Sequence, residues 1–269
     1  MPSRKAIGKV GARVTVIVTA IAVVLAAGSA RAACTVVDPA HAAWSTILAR
    51  WVDDGRVDYA GLQRDGQPAL SAYLGTLSGA CGADYEKWTR AERLAFWINA
   101  YNAFTVRLIL DHYPIASIRK IGWLPGAAFR ERFIPMPGLK GEVISLNDIE
   151  HATLRSAFRE PRIHFALVCA ARSCPPLRSE AYRSADLEAQ LDDQGRRFLG
   201  DGSRNRVDSE RKTLYLSSIF QWFRGDFEST GVSLASYVGR YLGPEVGDFA
   251  VRFLDYDWQL NDHNGGTSR

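Results

Sequence analysis

The chain has 269 residues, of which 47% are hydrophobic and 11% aromatic, and this composition excludes an intrinsically disordered protein. Its formal net charge is +4, but five of the 33 basic residues and none of the 29 acidic ones fall within the first 31 positions. The remainder is therefore nearly neutral, which leaves no electrostatic case for binding nucleic acid.

Residues 1–32 have the pattern of a secretory signal peptide. A basic start is followed by the apolar run Val14–Ala27 and by the small residues Ala30 and Ala32, which suit a signal peptidase. The run is short for a membrane span of about 20 residues. We expect cleavage near Ala32/Ala33, a periplasmic or secreted protein and no stable membrane insertion. An uncleaved N-terminal anchor is the alternative.

The next part of the chain is predicted to be helical. Helical periodicity covers residues 44–52 and 61–77, which an Asp-Gly turn separates. Thr89 and Glu92 form a capping-box pattern, so a long helix is expected to begin there and to run until Pro114. The middle of this helix is apolar on nearly all sides, which predicts a buried central helix.

Shorter elements are predicted after the central helix. Helices first and strands later predict an α+β fold, in which a helical N-terminal half and the buried central helix pack on a small mixed or antiparallel sheet. No break in composition marks a second domain, so residues 33–261 are predicted to form one domain, followed by a flexible tail, residues 262–269. The predicted elements are a hairpin within 129–143, a helix from Ser145 or Asn147, a strand over 162–168, a helix over 185–198, a strand over 213–216, helices from Ser217 and over 233–241, and a late strand over 251–260.

The four cysteines of an exported chain can all be paired. Cys34 and Cys81 lie outside the densest motif, so a disulfide with each other is their nearest use, although the sequence leaves this pairing open. Cys169 and Cys174 have three possible uses, which are a disulfide, a catalytic thiol and a metal site. The residues around them leave the choice open.

A metal site is the weakest of these uses. Cys169 and Cys174 could join His151 and His164 as zinc ligands, but a C-x4-C pair without a second close pair is a poor zinc signal. Residues 162–168 alternate like a strand, in which His164 would point away from Cys169. We therefore predict neither a metal nor a cofactor.

Cys174 is the preferred nucleophile, and Cys169 is the second choice. Two prolines follow Cys174, and a proline at the first helical position would place the thiol at a helix start, where free N–H groups lower its pKa. Arg172 and Arg178 flank the thiol and favour the thiolate in the same way. The alternative is a rigid turn closed by a Cys169–Cys174 disulfide, which silences both thiols.

His151 is the preferred general base. Asp148, His151 and Arg155 are spaced to share one face of a predicted helix. Asp148, or the neighbouring Glu150 on another face, would orient the histidine. A polar stripe also occurs on any solvated helix face, and that alternative stays open.

Asn99 and Asn102 are unusual in so apolar a helix. Two buried amides must find hydrogen-bond partners, either in neighbouring backbone or in a substrate within a cleft. On the second alternative they would polarise a substrate carbonyl. Arg155 and Arg172 would then complete the predicted substrate-binding residues.

Six motifs carry a resemblance to a known family. They are WVDDGRVDYAGL (51–62), WINAYNAF (97–104), SLNDIEHATLR (145–155), HFALVCAARSCPPLRSEAY (164–182), LSSIFQWFRGDF (216–227) and LDYDWQLN (254–261). Together they resemble the domain of unknown function 547 family in its bacterial, exported form, from about His41 to Asn261. The resemblance implies no settled activity.

The leading hypothesis is a thiol-dependent hydrolase or acyl transferase that acts on an amide, peptide or thioester bond of a small-molecule or peptide substrate. Papain-like and transglutaminase-like folds are one form it could take, although their order is Cys, His, then Asp or Asn, whereas His151 precedes both cysteines here. The alternative is a non-catalytic envelope module, for binding or structure, with a Cys169–Cys174 disulfide. A thiol–disulfide redox protein is the third hypothesis.

Overall fold

A long helix, Arg90–His112, lies at the centre of the computed structural model, which describes residues 34–229 and 231–263. The helix begins at a capping box. The Thr89 hydroxyl accepts a hydrogen bond from the Glu92 N–H, and the Glu92 carboxylate accepts one from the Thr89 N–H at 2.7 Å. This confirms the predicted helix start.

The helices follow the predicted order along most of the described chain. None of them is both long enough and apolar enough to cross a membrane, among the residues described. Short single turns also occur at Ile118–Lys120 and Pro244–Asp248. The helices are α1 (Ala42–Trp51), α2 (residues 59–78), α3 (Gly82–Tyr85), α4 (Arg90–His112), α5 (Ala127–Arg130), α6 (Pro137–Lys140), α7 (residues 148–158), α8 (Ile163–Ala166), α9 (Leu187–Gly200), α10 (Ser218–Trp222), α11 (Arg224–Phe227) and α12 (Leu234–Leu242).

The strands pair into small sheets, so that the described residues have the predicted α+β fold. The largest sheet is mixed, because its middle strand pairs antiparallel on one side and parallel on the other. The pairs are β1 (Val52–Asp53) with β2 (Arg56–Val57), β3 (Ile134–Met136) with β4 (Glu142–Ile144), and β6 (Thr213–Ser217) with both β5 (Arg206–Asp208) and β7 (Ala250–Leu254).

Buried side chains form two hydrophobic clusters that meet at α8. Every side chain from Leu94 to Val106 is buried, and α4 contributes to the larger cluster. The smaller cluster includes Phe198 and Phe220 beside the mixed sheet. In α8, Ile163 belongs to the larger cluster and Phe165 to the smaller one. The segment that leads to Cys169 is therefore held from both sides.

Two local predictions around the cysteine motif are wrong. Residues 162–168 form no strand, because the chain turns at Pro161 and makes the short helix α8 before becoming extended. Such short apolar runs cannot be assigned by periodicity alone. Cys174 begins no helix either, since its N–H is bonded to the Ala171 carbonyl and the prolines that follow keep the chain extended. The late strand is also shorter than predicted and ends at Leu254.

The residues at both ends of the predicted domain are bonded to the rest of it. Cys34 and Cys81 form a disulfide with each other, with their Cα atoms 5.4 Å apart. Asp262, at the start of the predicted tail, is buried and accepts a hydrogen bond from the Tyr113 hydroxyl at 2.9 Å. The predicted signal peptide and residues 264–269 lie outside the described residues.

Candidate functional site

Cys169 and Cys174 form a disulfide on the wall of a cavity. Cys174 is buried, whereas Cys169 is half-buried. The Tyr256 oxygen lies 3.2 Å from Sγ of Cys174 and 3.3 Å from Sγ of Cys169. The Cys169 N–H points at the Cys174 sulfur from 3.0 Å. Two hydrogen-bond donors are therefore directed at Cys174.

Backbone pairing brings Tyr256 to the disulfide. Ala171 bridges to Leu260, and the Arg172 N–H donates to the Gln259 carbonyl at 2.8 Å. Tyr256 follows β7 within two residues, so the mixed sheet aims it at the cysteine segment. Burial raises the pKa of the Tyr256 hydroxyl, which stays a hydrogen-bond donor at neutral pH.

The cavity has a volume of about 180 Å³ and combines an aromatic rim with ionisable side chains. Trp222, Tyr256 and Trp258 form the rim, with ring centroids 4.7 to 5.8 Å apart. The polar and sulfur-bearing side chains that line it are those of Tyr101, Asn147, Glu150, His151, His164, Cys169 and Cys174.

Glu150 is a buried carboxylic acid in this cavity. Burial raises the pKa of its carboxyl to about 7, although Arg155 and a hydrogen bond from the Tyr101 hydroxyl oppose the shift. Glu150 therefore exists in both protonation states near pH 7. Such a group can both give and take a proton beside the disulfide.

Behind Glu150, a chain of charged and hydrogen-bonded side chains reaches Asp226. His164 Nδ1 lies 4.0 Å from Glu150 Oε1, and His164 Nε2 lies 2.7 Å from Asp226 Oδ2. Arg155 binds both oxygens of Asp226, at 2.5 and 2.8 Å. Burial would raise the pKa of Asp226, but the hydrogen bonds from Arg155 and His164 hold it well below its usual range. Burial lowers the pKa of His164 against the attraction of Asp226, so the imidazole donates from Nε2 as a neutral ring.

His151 lines the cavity, but its ring is hydrogen-bonded to Arg155. An arginine only donates, so the 3.1 Å contact from Arg155 Nη1 makes His151 Nδ1 an acceptor. The neutral ring then carries its proton on Nε2. Burial and Arg155 both lower the pKa of His151. This tautomer leaves no free lone pair to deprotonate a thiol.

Four of the five predicted catalytic residues line this cavity, namely Cys169, Cys174, His151 and Glu150. Their catalytic roles stay predictions. Glu150 and His151 both line the cavity although they are neighbours in the chain, and residues 148–155 form a π-helix rather than the predicted α-helix. Asp148 instead caps the start of α7, where its carboxylate accepts from the Ser145 N–H and hydroxyl at 2.8 and 2.7 Å.

The predicted substrate-binding residues are divided among different places. Asn99 binds the Tyr182 backbone through both its amide oxygen and its amide nitrogen. The amide nitrogen of Asn102 donates to the Ala166 carbonyl, and its amide oxygen accepts from the Val168 N–H. These amides support the first alternative, in which they tie backbone in place. Arg155 contacts Asp226 rather than the disulfide. Arg172 lines a second cavity, on another side of Cys174.

Three side chains of the site had no role predicted from the sequence. These are Tyr101, Asp226 and Tyr256. In addition, His164 was expected to point away from Cys169, yet His164 and Cys169 line the same cavity. The signal that was available is that each lies inside one of the six motifs. Within residues 34–229 and 231–263, no group of three or more His, Cys, Asp or Glu side chains is placed to hold a metal ion.

A known protein family matches the segment that carries most of the site. No curated protein and no solved structure is similar enough to the chain to count as a match. Residues 85–199, which include α4, α7 and both cysteines of the cavity, match the model of the family described as protein of unknown function, DUF547. This match confirms the resemblance to that family over these residues.

Proposed function

We propose that this chain is a thiol–disulfide oxidoreductase and that Cys169–Cys174 is its redox pair. The observation that carries the proposal is the position of Tyr256, whose hydroxyl oxygen lies within 3.3 Å of both sulfurs on the wall of an open cavity. A purely structural disulfide needs no hydrogen-bond donor at its sulfurs. A disulfide that opens to a thiolate does.

The reaction partner is a dithiol. One substrate thiolate attacks Sγ of Cys169, the more exposed sulfur, and the S–S electron pair leaves with Cys174 as a thiolate. The Cys169 N–H and the Tyr256 hydroxyl stabilise that charge. The second substrate thiol then attacks the substrate sulfur of the mixed disulfide and expels Cys169. The products are the substrate disulfide and the protein dithiol, and a disulfide substrate runs the same steps in reverse.

Glu150 handles the protons of this exchange. Each substrate thiol must lose a proton before it attacks, and each cysteine thiolate of the protein takes one up. A carboxyl group with a pKa of about 7 accepts the first and returns the second without a large energy cost. His164 and Asp226 lie behind it.

The thiol hydrolase or acyl transferase is the second candidate. The observation that favours it is that Cys169, Cys174, His151 and Glu150 share one cavity. It requires the disulfide to be reduced first, and it requires His151 to release Arg155. The redox function uses the side chains as they lie, so it is preferred. A non-catalytic envelope module is the third candidate.

We also propose that the protein works in an oxidising compartment, periplasmic or secreted. Its four cysteines are paired as two disulfides, which persist outside the cytosol. The predicted signal peptide supports the same location. Cell fractionation with an antibody against the mature chain tests it, and a cytosolic pool with all four thiols reduced would contradict it.

Alkylation mapped by mass spectrometry tests the proposed function. The purified protein is equilibrated with reduced and oxidised dithiothreitol at set ratios, then alkylated under acid quench. We expect Cys169 and Cys174 to interconvert between disulfide and dithiol in folded protein, and Cys174→Ser to abolish oxidation of the dithiol. The double variant Cys34→Ser, Cys81→Ser is the matched control and should retain it.

The same experiment separates the three candidates. A pair that stays joined at every ratio that leaves the protein folded contradicts the redox function and supports the non-catalytic module. Reduced protein that hydrolyses a thioester probe, and loses this activity in His151→Ala, supports the hydrolase instead.

A further inference from the structure

A second and larger cavity lies on another side of the redox pair. Its volume is about 590 Å³, within the range of small-molecule sites. The turn between β1 and β2, the segment 171–176, the C-terminal end of α9 and the loop after it form the wall. Cys174 belongs to the walls of both cavities.

Arginine side chains dominate this wall. Arg56, Arg172 and Arg197 make no salt bridge within the described ranges, while Arg204 pairs with Asp201. The Nε of Arg172 is buried and has no hydrogen-bond partner in the part of the chain that the structure describes. A buried guanidinium donor without an acceptor is costly, and a bound anion would satisfy it.

Hydrogen bonds hold the backbone of Arg172 at the cavity wall. Arg204 donates to the Arg172 carbonyl at 2.7 and 3.2 Å, and the Arg172 N–H is bonded to Gln259. The acidic side chains that remain in the wall are those of Asp54 and Asp257, and Asp257 already accepts from the Gln259 N–H. Three guanidinium groups without an ion pair outnumber these two carboxylates.

We propose that this cavity binds a small molecule or short peptide that carries at least two carboxylate or phosphate groups. The planar guanidinium groups bind such oxyanions in a bidentate manner. The site needs no redox activity at Cys174 and stands independently of the proposed function. It assigns a role to Arg172 that the disulfide cavity does not explain.

Calorimetric titration of the full chain with three probes tests the site. The probes are inorganic phosphate, citrate and the dipeptide Glu-Glu, with Lys-Lys as the charge-reversed control. Binding of phosphate alone identifies a phosphate ligand, and binding of citrate or Glu-Glu alone identifies a carboxylate ligand. Binding should weaken as salt is added.

Neighbouring arginines on α9 provide the matched variants. Arg197 lines this cavity, whereas Arg196 lines a different one. We expect Arg197→Ala and Arg172→Ala each to weaken binding about tenfold or more, and Arg196→Ala to leave it unchanged. Because Arg197 is exposed, its variant should fold normally. Failure of all three anionic probes to bind at millimolar concentration, equal weakening in Arg196→Ala, or preference for Lys-Lys would overturn the proposal.

Discussion

The Tyr256 hydroxyl oxygen lies 3.2 Å from Sγ of Cys174, although 82 residues separate the two in the chain. The contact exists because the segment after β7 pairs with the residues between the two cysteines. Ser173 makes two hydrogen bonds to the Asp257 backbone there. The Ser173 N–H donates to the Asp257 carbonyl, and the Asp257 N–H donates to the Ser173 side-chain hydroxyl at 2.8 Å. Hydrogen bonds between the two segments therefore place the Tyr256 hydroxyl at the disulfide. Its effect can be measured by removing that one oxygen, in Tyr256→Phe.

Tyr256→Phe should slow thiol–disulfide exchange at the pair by about tenfold or more. A hydrogen bond to a charged group contributes about 1.5–3 kcal/mol, and the leaving thiolate loses that stabilisation. Rapid-quench alkylation of Cys174 during reduction by dithiothreitol measures the rate. Tyr215→Phe, a tyrosine in β6 that lies outside the cavity, is the control. Equal rates in the two variants would show that the hydroxyl does not act on the sulfurs.

Glu150→Gln should change how stability depends on pH. The folded-state pKa of Glu150 is raised to about 7 by burial, from an ordinary value near 4.5. Between these two values the folded protein holds the extra proton, so its free energy of unfolding falls as pH rises. The loss is about 3 kcal/mol between pH 4.5 and pH 7, and the variant should lack it.

Urea denaturation at pH 5 and pH 8 measures the effect of Glu150→Gln. The variant should gain stability relative to wild type at the higher pH. Glu131→Gln removes an exposed carboxyl and serves as the control. If wild type and Glu150→Gln lose the same stability between the two pH values, the carboxyl of Glu150 is not buried as described.

Asp226→Asn should destabilise the protein by about 1.5–3 kcal/mol at pH 7. The substitution removes the charge that Arg155 and His164 share, and hydrogen bonds to charged groups contribute this amount. Because the pKa of Asp226 is held below its usual range, its contribution is present above about pH 4 and is lost as pH falls further.

The difference in free energy of unfolding between wild type and Asp226→Asn should therefore become smaller from pH 7 to pH 3. Thermal or urea unfolding at both pH values measures it. Asp248→Asn, at an exposed carboxyl, should have no measurable effect. A difference that is constant with pH would mean that the aspartate contributes by its shape rather than by its charge.

Asn102→Ala should destabilise the protein and also disturb the proposed redox pair, Cys169 and Cys174. Its amide donates to the Ala166 carbonyl and accepts from the Val168 N–H, both at 2.9 Å. Loss of the amide leaves both buried backbone groups unpaired, at about 1–3 kcal/mol each. Val168 precedes Cys169, so the exchange rate should change as well.

Asn99→Ala provides the comparison for this prediction. It should cost similar stability, because Asn99 makes the same two bonds to Tyr182. Tyr182 lies after the cysteine segment, so exchange at the pair should be little affected. Equal changes of exchange rate in both variants would contradict a local role for Asn102.

The sequence by itself determined the features that depend on short-range interactions. The capping box of Thr89 and Glu92, the buried central helix and the α+β order were predicted correctly, because hydrogen bonds three residues apart and apolar periodicity are local. The sequence motifs also placed Cys169, Cys174, His151 and Glu150 among the candidate site residues, and the structure brings these four to one cavity.

Only the tertiary structure decided what surrounds these residues. The partners of His164 and Cys174, which are Asp226 and Tyr256, lie 62 and 82 residues away, and no sequence period encodes such distances. The raised pKa of Glu150 arises from burial by the whole fold, not from its neighbours in sequence. The short run before Cys169 was assigned to a strand because its residues alternate in character. So short a run also fits one helical turn, and packing between the two hydrophobic clusters selected that turn.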